Sequence, residues 1–97
     1  MPIRLGDAGT SVVVVVREGG RHLDLSGATT KRIVFTRPDG NEVPREAGFL
    51  TDGRDGGLVY VTVPGEVDQP GLWTLQAELV LGTWSGRSSR AALRVEA

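Results

Sequence analysis

A chain of 97 residues with 39% hydrophobic and 24% charged side chains has the size and composition of one soluble domain, not of a disordered segment or a membrane span. Its formal charge is −1 with acids and bases interleaved, so no cationic face is set aside for nucleic acid. It has no cysteine, which excludes disulfides and thiolate metal sites and requires a fold that holds without staples.

Fourteen glycines and five prolines punctuate the chain. The pieces between them are strand-length and rich in valine and threonine, which favour pleated surfaces. Residues 3–5 read as a short first strand, and the leading residues lack the basic-then-apolar pattern of a secretory signal. Residues 10–17 follow and contain the longest apolar run, 12–16, far short of the roughly 20 residues that span a bilayer. Valines on both faces predict a strand that is central or covered on both sides, with Arg17-Glu18 as a charged stop against aggregation. Gly19-Gly20 turns the chain into 21–25, and Ser26-Gly27 separates that piece from a strand over 28–37 with Ile33 and Phe35 on one face. Pro38-Asp39-Gly40-Asn41 is a strong turn into a hairpin partner, 42–47. Residues 51–57 read as a polar loop, 58–63 as a strand and 64–70 as a corner.

Residues 71–81 organise the rest. Trp73, Leu75, Ala77, Leu79 and Leu81 share one face, and Leu72, Thr74, Gln76 and Glu78 share the other. That alternation puts one face in a core and one in water, with Trp73 as the largest core side chain. Gly82 turns the chain through Trp84. Residues 85–90 break the pattern, which predicts a bulge or an irregular edge before a last strand through Ala91, Leu93 and Val95. Seven to nine short strands and no helix predict one domain over 1–97: an all-β, antiparallel immunoglobulin-like β-sandwich.

Few residues carry chemistry. His22, the sole histidine, stands near Asp24 as a general base would, yet no serine is tied to it by spacing, so no catalytic residue is assigned. Asp52 and Asp55 sit in a loop that superficially follows an oxygen-ligand calcium site. Arg54 interrupts it and no closing glutamate follows, so the loop reads as a turn, and no metal or cofactor is expected. Trp84, beside a hairpin turn, suits rim packing or contact with another chain, and an exposed ring there would also suit sugar stacking.

Several of these pieces together resemble one family: Leu23-Asp24-Leu25-Ser26-Gly27-Ala28-Thr29, Ile33-Val34-Phe35 leading to Arg37-Pro38-Asp39-Gly40, Thr51-Asp52-Gly53, Gly57-Leu58-Val59-Tyr60, and Gly71-Leu72-Trp73-Thr74-Leu75-Gln76-Ala77. Over about residues 6–95 the chain resembles the N-terminal immunoglobulin-like domain of phage upper-baseplate proteins and small stand-alone tail proteins of that type. The resemblance implies a virion structural protein assembled in the host cytoplasm: an adaptor that links a tail or baseplate to receptor-binding fibres, or decorates the particle. It implies several symmetric copies in contact with other virion chains, with no nucleic acid, membrane or catalytic motif. Partner contacts are then expected at Ile3, Arg4 and Leu5 and at Trp84, Arg87 and Arg90. Removal of residues 1–5 is expected to weaken incorporation more than it weakens the fold. A carbohydrate-binding β-sandwich module is the alternative.

Overall fold

The computed structural model describes residues 3–88 and 90–97. Within them lie eleven strands and no helix: β1 (Ile3–Arg4), β2 (Ser11–Val15), β3 (Arg17–Glu18), β4 (Arg21–His22), β5 (Ala28–Thr36), β6 (Glu42–Glu46), β7 (Gly48–Phe49), β8 (Gly57–Val61), β9 (Gly71–Leu81), β10 (Trp84–Arg87) and β11 (Ala91–Glu96). The fold is all-β, as expected. Seven of these strands run four residues or more and four are two-residue pairings.

β9 is the longest strand. Eleven residues at about 3.3 Å each span roughly 36 Å, most of the molecule's 39 Å length. Its inner face carries Trp73, Leu75, Ala77 and Leu79, all buried. One edge pairs with β5, and β10 and β11 share the other end to end, β10 opposite 78–81 and β11 opposite 71–75. Gly82, with a φ of 60°, supplies the positive-φ corner of the two-residue turn into β10. Between β10 and β11 the register moves by one residue, so the irregularity expected over 85–90 is a bulge. Ser88 holds it: its N–H donates to the Ala77 carbonyl and its Oγ accepts the Ala77 N–H, both at 2.9 Å. Ser89, within that segment, lies outside the described residues.

The first sheet runs β1-β11-β9-β5-β6, with β10 beside β9; the second runs β2-β8-β7, and β3 and β4 form a small hairpin. β1 lies parallel to β11, Ile3 beside Val95. The first sheet is therefore mixed, and the expectation of a purely antiparallel fold fails at this margin. In this pairing Ile3, beside Val95, lies on the inner face and is 6% exposed. Bonds from Leu5 N–H to the Glu96 carbonyl (2.7 Å) and from Gly6 N–H to the Val67 carbonyl (2.9 Å) hold the segment there. Deleting residues 1–5 thus strips a core side chain and a strand pairing, and costs stability as well as any contact. Met1 and Pro2 lie outside the described residues.

The two sheets bury their inner faces in one cluster, with β2 against β9 and β8 against β5. Trp73 sits in it at 3% exposure. Its indole N–H donates to the Gln69 carbonyl at 3.0 Å, Phe35 meets it edge-on at 6.5 Å, and the Arg37 guanidinium lies 5.8 Å above the ring. Arg37 Nε is 3.4 Å from Asp68 Oδ1, an ion pair without hydrogen-bond geometry. At the core's margin, Glu66 accepts from Arg45 Nε (2.7 Å), the Tyr60 hydroxyl (2.8 Å) and the Val63 N–H (3.2 Å). Burial by itself raises the Glu66 carboxyl, but these donors together outweigh it and hold the group below the ordinary glutamate value.

Residues 10–17 do not occupy the centre of a sheet. β2 is an edge strand with a partner on one side only. Val12 and Val16 are buried, while Val13 and Val15 are 45% and 43% exposed. The second sheet is only three strands wide, so nothing in it covers the other flank of β2.

Candidate functional site

Hydrogen bonding fixes what the β2 edge offers. Thr62 N–H donates to the Thr10 carbonyl (3.0 Å) and Val16 N–H to the Gly56 carbonyl (2.8 Å). Bonded pairs recur at every second residue of an antiparallel ladder, so in this register Val12 and Val14 also bond β8. The N–H and C=O groups of Ser11, Val13 and Val15 therefore point away from β8, to an edge that no strand among the described residues pairs. The Ser88–Ala77 bond fixes the parity of β10 in the same way: Trp84 and Gly86 bond β9, and the backbone of Ser85 and Arg87 faces outward.

Between these two edges lies a groove of about 740 Å³. Residues 11–18 line it without a break. A strand face would contribute every second residue, so an unbroken run means that the groove meets the strand's edge. Leu75, Leu79 and Leu93, inner residues of the first sheet, border it but offer little surface, each being at most 6% exposed.

Trp84 faces this groove. It and Gly86 lie opposite Leu81 and Leu79, so both point to the inner side. No second-sheet strand reaches over them, and Trp84 stays 50% exposed. The indole lies on Gly86: a Cβ there would come within 2.8 Å of the ring, so glycine is what lets it lie flat.

Of the six expected contact residues, Trp84, Arg87 and Arg90 line this one groove. Arg87 does so without its charge, because its guanidinium is on the opposite face, bonded to Glu78 at 3.1 Å and Glu42 at 3.2 Å. Arg90 is exposed and has no ion pair among the described residues. Ile3, Arg4 and Leu5 lie on the same side of the first sheet but at its far end, beside the end of β11. Arg4 and Leu5 are exposed there, but Ile3 is a core residue and presents no surface to a partner. The backbone of Ser11, Val13 and Val15 is the part of the site that residue types did not announce.

The other candidates resolve into local structure. Asp24 Oδ1 accepts from the Ser26 N–H (2.9 Å) and hydroxyl (2.6 Å); these bonds, the hydroxyl's foremost, hold its carboxyl below the usual value. His22 is exposed on β4. In the 51–57 loop, Asp52 accepts the Arg54 N–H at 2.9 Å. Asp55 accepts the Gly57 N–H at 2.8 Å and the Thr51 hydroxyl at 2.9 Å, the backbone bond being the main cause of its lowered pKa. Both carboxylates thus cap the loop's own donors.

What the groove offers chemically is therefore binding: a row of unpaired backbone donors and acceptors and one exposed indole. No protein-family model matches this chain, and no curated protein matches it.

Proposed function

We propose that this chain is an immunoglobulin-like adaptor domain that joins other proteins through its uncovered flank and performs no catalysis. The observation that carries the reading is the pair of unpaired strand edges, β2 and β10, facing one groove. A sheet edge with unsatisfied backbone groups is a standing site for another chain. The segment 10–16 carries no charge, lysine or proline to blunt it. The resemblance to phage upper-baseplate domains supports a virion as the setting, with copies of the domain repeated in a tail or baseplate.

The test is a photo-cross-linking amino acid at position 84, with one at exposed Glu46 as control, in phage particles that incorporate the full chain. The expected result is discrete cross-links from position 84 to one or two other virion chains and none from position 46. Equal labelling from both positions overturns the adaptor reading, and absence of the chain from purified particles overturns the virion setting.

Trp84 supports a second reading, because a half-exposed indole lying flat on glycine is a surface on which a sugar ring can stack. Binding on a glycan array that is lost in Trp84→Ala would favour it over the adaptor; a blank array removes it.

A further inference from the structure

The groove runs along the open edge of β2. β2 packs on β9, so β10 and β11, which flank β9, reach one strand-width beyond β2; Trp84 and Ala91 are exposed on that inner face, while Leu93 and Val95 are buried. We infer that the groove takes a single extended segment of another chain, added as a fourth strand beside β2. This rests on the adaptor reading above and names the occupant of that site.

Three features set the segment's chemistry. Ser11, Val13 and Val15 present N–H and C=O groups at the two-residue repeat of a strand, which an extended backbone alone matches group for group. Alternate side chains of the segment turn inward toward Trp84 and Ala91, the exposed inner residues of β10 and β11, so apolar groups suit those positions. The rim is cationic. Arg17 and Arg90 line it without an ion pair among the described residues, and Glu18 is the one acid that lines it. The occupant is therefore about five residues of extended chain, apolar at alternate positions and flanked by acidic side chains.

The same overhang excludes a second copy offering its own β2. A copy paired there would carry its β9 into the space that β10 and β11 already fill. The occupant is a lone strand and not the edge of another two-layer domain.

The probe is a fluorescein-labelled synthetic peptide, acetyl-Glu-Val-Thr-Val-Thr-Val-Glu-amide, titrated into the full chain and followed by anisotropy and by NMR amide exchange. Exchange at Ser11, Val13 and Val15 should slow about tenfold, while Val12 and Val14, already bonded to β8, stay unchanged as internal standards. N-methylation of alternate peptide residues should weaken binding about tenfold by removing donors. Arg90→Glu should weaken it about threefold to tenfold. Val13→Pro should abolish binding, because that N–H faces outward and its loss leaves the β8 ladder intact. If that variant unfolds, the N-methylated peptide on the unaltered chain still decides.

Equal affinity for the N-methylated peptide overturns the inference, as does slowing at Ser85 and Arg87 in place of the β2 amides. No binding up to the peptide's solubility limit also overturns it. Discrete cross-links from position 84 in particles would then still uphold the adaptor reading, so the two fail separately.

Discussion

The outer faces of the two sheets obey one alternation rule and finish in opposite ways. On the first sheet, Arg32 reaches Glu46 (2.7 Å) and Glu78 (3.3 Å), and Arg87 reaches Glu78 (3.1 Å) and Glu42 (3.2 Å). The register places Val34 on this face between the Arg32 and Thr36 rows, so the Arg87–Glu42 pair crosses over it. Val34 is 1% exposed although it lies outside the main core cluster. On the second sheet, Val13, Val15 and Val61 stand outward at 45%, 43% and 50% exposure, and no outward position of β2 or β8 is charged. Long charged side chains can roof their own sheet, because their stems cover apolar neighbours while their heads pair above. A valine face has no such reach and stays open.

Substitutions can break or sharpen that contrast. Trp73→Ala empties the core on which both faces rest and should cost about 3–5 kcal/mol in chemical denaturation. A smaller loss would mean that the two sheets hold without it. Val34→Ala should cost about 1–2 kcal/mol, because the valine is covered despite facing outward. A null effect would show that the ion pairs do not roof it.

The carboxyl of Glu66 gives a pH test at the margin of the core. Its folded value lies below the ordinary one, so its contribution is present above about pH 4.3 and is lost as pH falls through the folded value. Glu66→Gln should destabilise the protein near neutral pH and flatten the acid limb of the stability curve. An unchanged acid limb would mean that other carboxylates dominate it.

On the charged face, Arg32→Ala should lower stability less than Val34→Ala does, and the difference should shrink in high salt. Val13→Thr on the bare face should shift stability by less than about 0.5 kcal/mol while reducing association through the β2 edge. If Val13→Thr proves as costly as Val34→Ala, the two faces are energetically alike and the contrast fails.

What the sequence revealed follows the range of each interaction. The alternation of β9 and the burial of Trp73 are local properties, and both were readable. The position of β2 was not: a valine run looks the same in a sheet's centre and at its edge, because pairing with β8, more than forty residues later, decides which side is left open. The uncharged stretch 10–16 signalled a buried strand, whereas it marks the place where burial is incomplete. For Trp84, the two-residue turn at Gly82-Thr83 would have fixed the ring on the same face as Leu81 and Leu79, but whether anything lay over it depended on the width of the opposite sheet. Ile3 was misplaced because a two-residue strand has too few positions to show a period. The ion-pair roof joins β10, β9, β5 and β6, and only the register of all four brings its charges together.

The pairing of Ile3 with Val95 also governs when the molecule can be complete. The two residues are separated by nearly the whole described chain, and the strand between them that each sheet needs most, β9, is made late. During synthesis, β2 and β8 can pair before β9 is made, but the sheet they cover lacks β9 and β11 until the last third of the chain has emerged. Contacts of such high sequence separation make folding slow, in the millisecond-to-second range typical of non-local β topologies. Until β9 packs against β2, the valines of β2 are exposed on both faces, and the growing chain is at its most prone to wrong pairing.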